Sequence, residues 1–291
     1  MPITRQLLPR LAALVTSDDK DVQVDALWAL SYVSDGRDDR LQAFLEAGCL
    51  SRVVQLLASP HHEVAVPALR TLGNVVTGDD LTTQAVLNEG ALHSVLPLMN
   101  STSKKVRKEA CWFVSNVCAG TEGQIQAVLD AAMFPELIRL MQHGEPEVAR
   151  EACWAVSNAT TTTRGTSEQV FQLVTMGVIT PLRRTLERGD VDPRVQVVAM
   201  EGLKNILRHA PPPDRVPGTG AGHYLQIMDA DGVPNAAAAL LQSPNAAVYH
   251  AAEDLLSRFP NWRDGGGGED GESGGERKER EGGESGAGGG V

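Results

Sequence analysis

Aromatic side chains are scarce, at 4% of 291 residues. Alternating runs of Val, Ile, Thr and Tyr are also missing, which excludes a fold built on half-buried strands. Only four cysteines are present, Cys49, Cys111, Cys118 and Cys153. They form no CxxC pair and have no His at zinc-ligand spacing, so they read as small buried hydrophobes in a reducing compartment. No Gly-rich phosphate loop, nucleophile elbow or metal-ligand cluster is found, and no enzyme activity, metal or cofactor is expected. His61 and His62, beside Pro60, read as a solvated loop pair. No apolar run approaches the ~18 residues of a membrane span. The opening MPITRQLLPRLAAL lacks the charge-then-apolar layout of a secretion signal. Positive charge is in deficit. The net charge of -11 disfavours nucleic acid as a partner and favours a basic one, unless the acidity serves solubility alone.

What the sequence has is Ala, Leu and Val, within a 42% hydrophobic composition suited to small, closely packed helices. It also has a repeat. VDALWALSYVSDG (24–36), VPALRTLGNVVTG (66–78), RKEACWFVSNVCAG (107–120) and AREACWAVSNATTT (149–162) align without gaps. Trp28, Arg70, Trp112 and Trp154 fall 42 residues apart, and so do Tyr32, Asn74, Asn116 and Asn158. After a longer step, VVAMEGLKNIL (197–207) brings Glu201 and Asn205 to the same places, and AAVYHAAEDLLSRF (246–259) is a degenerate sixth copy. This period belongs to the armadillo/HEAT class of helical repeats. The expected fold is all-α, a right-handed α-solenoid of armadillo repeats with five to six units of three helices each.

The third unit illustrates the expectation, with helices at about 81–90, 91–100 and 103–120. Gly90 and Gly120 are placed to end helices in the left-handed conformation, and Ser103 to cap one. Val106, Ala110, Val114 and Val117 mark a buried face that only stacked neighbours can cover. The first unit lacks a preceding short helix, so Leu7, Leu8, Leu11 and Leu14 are expected to present an uncovered apolar edge. A Pro/Gly loop is expected at 211–222. The solenoid is expected over 1–262, with a disordered Gly/Glu-rich tail over 263–291 whose RKER cluster (277–280) reads as solvated charge.

The repeated pattern acid-x-x-Trp-x-x-x-Asn carries the chemistry: Asp25/Trp28, Glu109/Trp112/Asn116 and Glu151/Trp154/Asn158. Residues three and four apart share a helix face, so stacking turns each residue type into a ladder. An Asn amide both donates and accepts, and a row of them can hold an extended peptide by its backbone. Parallel indoles form slots for an aliphatic stem and attract the ammonium at its end, worth on the order of 0.5–2 kcal/mol per site. The acid adds the counter-charge. The competing reading places each Trp in the core. Two complete Trp/Asn pairs in register weigh against it, and a core Trp would suit an apolar neighbour at i+4 better than an Asn.

WALSYVSDG (28–36), PALRTLGNVVTG (67–78), KEACWFVSNVCAG (108–120), GQIQAVLDA (123–131) and EACWAVSNAT (151–160) resemble the importin-α (karyopherin-α) nuclear import adaptors. EGLKNIL (201–207) and NAAVYHAAEDLL (245–256) extend the resemblance to nearly all the chain except the tail. The resemblance implies the C-terminal half of the family's solenoid, which holds the minor site for nuclear localisation signals. It implies a central array of Trp112, Asn116, Trp154 and Asn158, with Glu109 and Glu151 pairing to signal lysine or arginine. Arg70 stands in for an indole, Asn74 continues the amide row, and Trp28 and Tyr32 close the far end. Gly36, Val76, Asp80 and Thr83 match further contact positions more weakly, and Glu201 and Asn205 extend the rows. Implied partners are lysine/arginine-rich signal peptides, and an export receptor at the C-terminal repeats. Nucleic acid and membrane are not expected as partners, and the implied location is cytoplasm and nucleus. The family's basic importin-β-binding segment and early repeats have no counterpart before Met1. Importin-β binding is therefore not expected, and the chain reads as a truncated product, a partial gene model or a shortened paralogue. The alternative is an armadillo scaffold that keeps the fold and binds some other protein.

Overall fold

A computed structural model of the chain describes residues 2–36, 38–161, 166–210, 221–260 and 262. The expected tail (263–291) and most of the expected Pro/Gly loop (211–220) lie outside the described residues. The last two residues assigned to that loop, Ala221 and Gly222, instead open a helix.

Among the described residues the regular structure is entirely helical. The first unit has two helices, α1 (Pro2–Leu14) and α2 (Lys20–Ser34). The second has α3 (Asp38–Glu46), α4 (Leu50–Leu56) and α5 (His62–Val75). The third has α6 (Asp80–Asn88), α7 (Ala91–Val95) continued by a 3-10 turn (Leu96–Asn100), and α8 (Lys104–Cys118). The fourth has α9 (Glu122–Asp130), α10 (Phe134–His143) and α11 (Pro146–Ala159). The fifth has α12 (Ser167–Thr175), α13 (Ile179–Glu187) and α14 (Pro193–Arg208). The sixth has α15 (Ala221–Asp231), α16 (Val233–Ala239) and α17 (Ala246–Leu256).

Each long helix packs on the long helix of the next unit, in the order α2, α5, α8, α11, α14, α17. The shorter second helices form a second layer, with α4 against α7, α10 against α13 and α13 against α16. The core lies between the layers. Val106, Ala110, Val114 and Val117 of α8 are buried there, as their spacing predicts, beside Phe113 and Phe134. All four cysteines are buried thiols. Burial pushes Cys49 up to about 11 and Cys153 up to about 12, so neither forms a reactive thiolate near neutral pH.

The corner between first and second helices uses the left-handed conformation in every complete unit, at Gly48, Gly90, Ala132, Gly177 and Gly232. Among the described residues Ala132 is the single non-glycine residue with positive φ, at 53°. Gly120 differs from expectation, because its φ is not positive. A Cβ there would stand 1.9 Å from Gln124 Oε1, so close approach rather than handedness demands glycine. Ser103 occupies the N-cap of α8, but its hydroxyl makes no capping bond. The first helices are capped better. Thr121 and Thr166 each form a reciprocal capping box, with Gln124 and Gln169. The same glutamines reach the preceding unit, where Gln124 Nε2 donates to Asp80 O and Gln169 Nε2 to Glu122 O, both at 2.9 Å.

The expected apolar edge on α1 is only partly open. Leu8 is core and Leu11 is half-buried, while Leu7 and Leu14 are exposed. The helix turns Leu8 toward α2 and α3, which pack on it.

Candidate functional site

The two repeated rows emerge side by side on the stack of third helices. The first row is Trp28 (α2), Arg70 (α5), Trp112 (α8), Trp154 (α11) and Glu201 (α14). The second is Tyr32, Asn74, Asn116, Asn158 and Asn205, on the same helices. Trp28 and Trp154 are each 37% exposed, Tyr32 is 74% exposed and Trp112 is half-buried. The indoles therefore lie outside the helix-packing core.

The asparagines are held in a common way. Asn74 Nδ2 donates to Ser31 O at 2.8 Å, Asn116 Nδ2 to Gly73 O at 3.2 Å and Asn158 Nδ2 to Ser115 O at 2.9 Å. Each amide thus fastens its own unit to a backbone carbonyl of the unit before. For Asn116 and Asn158 this uses one of two amide hydrogens, leaving the second hydrogen and the oxygen for other work. Asn74 is buried and also approaches Ser34 Oγ at 3.3 Å, so it is committed more fully to packing.

The first row holds a cation of its own. Arg70 Nη2 donates to Glu109 Oε1 at 2.6 Å, and the guanidinium carbon lies 4.8 Å from the Trp112 ring centroid. That is a combined ion pair and cation–π contact. Gly73 makes room for it, because a Cβ there would lie 2.2 Å from Trp112 Cζ3. The other oxygen of Glu109 is buried and has no hydrogen-bond partner among the described residues. Burial raises the Glu109 carboxyl above its ordinary range, and Arg70 opposes that rise. One unit on, Glu151 Oε1 accepts from Arg150 Nη2 at 2.9 Å. Glu151 and Trp154 repeat the acid–indole pair, and no arginine is stacked on Trp154 among the described residues.

Beside Asn116 lies a hollow of about 280 Å³, lined by Val76, Gly78, Asp80, Thr83, Asn116 and Gly120 among others. α5 and α8 both end there, at Val75 and Cys118. Helix C-termini carry partial negative charge, so two of them converging on one hollow favour a cation. Three of the weaker candidates, Val76, Asp80 and Thr83, thus meet Asn116 in one place. Gly36 belongs to the end of the first unit, where Arg40 packs against it. Gly78, Thr77 and Ala119 line the hollow without having been singled out by sequence reasoning. The available signal was Gly36, Gly78 and Gly120, spaced by 42. A second hollow of about 310 Å³ surrounds Trp28, with Val24, Val66, His62, Glu63 and Lys105 on its walls.

Glu201 and Asn205 lie in register but are engaged by neighbouring cations. Lys204 Nζ is 2.5 Å from Glu201 Oε1, and Arg208 Nη1 donates to Asn205 Oδ1 at 3.0 Å. Among the described residues no group of His, Cys, Asp and Glu could hold a metal ion, and no helix is long and apolar enough to cross a membrane.

Stacked three-helix units carrying a row of partly exposed indoles beside a row of half-buried to buried amides define a helical-repeat scaffold of the protein-binding type. The armadillo/β-catenin-like repeat model matches residues 4–35, 38–77, 79–119 and 121–161, more than half the chain, and the chain belongs to that family. The solved structures similar to it include a designed armadillo repeat protein in complex with the peptide (KR)4. Its TM-score is 0.77 at 28% identity, covering 87% of this chain and 99% of that one. A computationally designed armadillo repeat protein for modular peptide recognition matches with TM-score 0.77 at 27% identity, covering 87% and 99%. Importin subunit alpha-1a of Oryza sativa subsp. japonica is 55% identical over 49 residues, 17% of this chain and 9% of that protein. Importin subunit alpha-1 of Schizosaccharomyces pombe is 51% identical over 43 residues, 15% and 8% respectively. These matches span less than a tenth of each relative's length.

Proposed function

We propose that the indole–amide ribbon binds extended lysine- and arginine-rich peptides of the nuclear localisation type, as part of importin-α-like import. The observation that carries this reading is Arg70, held at once by the Trp112 face and by Glu109. It supplies a worked example of a cation seated on this acid–indole pair. Trp154 and Glu151 repeat the pair with the indole open to a ligand. Asn116 and Asn158 stand beside the two pairs to receive the peptide backbone, and the hollow at Asn116 takes a lysine ammonium near two helix C-termini. The peptide (KR)4 in the designed relative is of the same chemical class.

On this reading the protein acts by binding rather than by catalysis, and works between cytoplasm and nucleus. The experiment is a fluorescence-anisotropy titration with a lysine-rich signal peptide and a scrambled neutral control, repeated with Trp154→Ala. Binding of the basic peptide alone, weakened by the substitution, is the expected result. Equal binding of both peptides, or an indifferent Trp154, would return the protein to a general armadillo scaffold.

A further inference from the structure

The row of indole positions continues past Trp154 and changes character. The buried Val195, Ala199, Gly202 and Ile206 of the fifth unit recur as Val248, Ala252, Leu255 and Phe259 in the sixth. That register places Asp254 where Glu201 stands, and Arg258 where Asn205 stands. The last two places in the first row are thus carboxylates. Lys204 occupies the position held in the first four units by Ser31, Gly73, Ser115 and Ser157, all small residues.

Its ammonium lies 2.5 Å from Glu201 Oε1 and 2.6 Å from Asp254 Oδ2. The Lys204 side chain is 5% exposed, whereas those of Glu201 and Asp254 are 45% and 43% exposed. The amine is enclosed while both acids are nearly half exposed. The second row is engaged in the same way, with Arg208 on Asn205 and Arg258 Nη2 3.4 Å from Asp254 Oδ1.

We infer that Lys204 is a built-in stand-in for a ligand lysine, closing the ribbon beyond Trp154 and thereby limiting which basic residues of a peptide are read. The inference rests on the reading of the ribbon as a peptide site. A cation already seated between Glu201 and Asp254 neutralises the acids that would attract another. Removing it frees Glu201 and the Oδ2 of Asp254, whose Oδ1 stays near Arg258, as a subsite for one further lysine or arginine.

The test compares wild type with Lys204→Ser, which installs the residue of three other units, and Lys204→Gln, which keeps hydrogen-bonding capacity should the first fail to fold. Thermal melts followed by circular dichroism confirm folding. The probes are a short lysine-rich peptide, two versions lengthened by lysines at one end or the other, and the matching alanine-lengthened peptides. The quantity read is the gain in affinity from lysine over alanine extension. In the variants it should rise about tenfold above the wild-type gain, as for a new hydrogen-bonded ion pair. The rise should occur at one end only and vanish when Glu201→Gln and Asp254→Asn are added. An unchanged gain, or an equal rise at both ends, overturns the inference while leaving the groove reading intact. If instead the short peptide does not bind wild type, or ignores Trp154→Ala, the groove reading and this inference fall together.

Discussion

Asn158 on α11 donates through Nδ2 to the backbone carbonyl of Ser115 on α8, 2.9 Å away. The residue that should grip a peptide therefore also binds one unit to the next. Replacing it by Ala should cost stability as well as binding, each by about 1 kcal/mol for a lost hydrogen bond. Urea unfolding and peptide titration on the same sample measure the two losses. Loss of binding with no loss of stability would show that the bond to Ser115 contributes nothing.

Trp154→Ala should separate the two effects. The indole is 37% exposed, so its removal should cost the fold less than that of a fully buried Trp. Peptide affinity should fall by about 1–2 kcal/mol through the lost cation–π contact and stem packing. The melting temperature should fall by less than for a core Trp while the dissociation constant rises about five- to thirtyfold.

Glu151→Arg should be worse than Trp154→Ala for basic peptides, because it reverses the charge beside the open indole and removes the partner of Arg150. Glu187→Arg is the comparison. Glu187 ends α13 in the outer layer, half exposed and paired with Arg183. It should leave affinity within about twofold, since a surface charge at a distance is largely screened. Added salt should weaken the wild-type complex and narrow the difference between the two variants.

Arg70 and Glu109 should leave a mark on the pH dependence of stability. Burial raises the folded-state pKa of Glu109 above its unfolded value, and Arg70 limits the rise. Between those two values the native state holds more protons than the unfolded chain, so stability falls as pH rises through the window. Arg70→Ala removes the opposing charge and should widen the window upward, with a steeper loss toward neutral pH. Glu109→Gln should abolish it. Urea unfolding from about pH 4 upward reads both slopes, starting near the ordinary glutamate value.

The corners give a cleaner stability test. A Cβ at Gly90 meets nothing within 4 Å, so Gly90→Ala should cost about 1 kcal/mol from its left-handed φ alone. Ala132 already bears that cost, and Ala132→Gly should raise the melting temperature, offset in part by glycine's greater freedom in the unfolded chain. Calorimetry should find the two changes opposite in sign.

The unit length, the buried face of α8 and the two rows could all be read from spacing, because a period reports which positions play equivalent parts. What each side chain meets across a 42-residue step could not be read so. Arg70 was expected as a substitute for an indole, and its ion pair with Glu109 was not. Asn74 looked equivalent to Asn116, but burial and a second contact at Ser34 set it apart. Gly120 looked like a helix stop, and its reason is the nearby Gln124 amide. Leu8 looked like an exposed edge because helical phase within α1, not hydrophobicity, decides which leucines face α2 and α3. Each departure depends on a contact between units, which a one-dimensional pattern does not encode.

Gln124 and Gln169 close the caps of their own first helices and, with the same side chains, hold a carbonyl of the unit before. A helix start completed in this way is at its best only beside a folded predecessor. Such coupling gives the array a direction, because losing one unit loosens the cap of the next, whereas losing a later unit leaves earlier caps intact. Hydrogen exchange at the amides of Gln124 and Gln169 would then report on the integrity of the units before them, so that the array opens as a sequence of neighbours rather than as isolated helices.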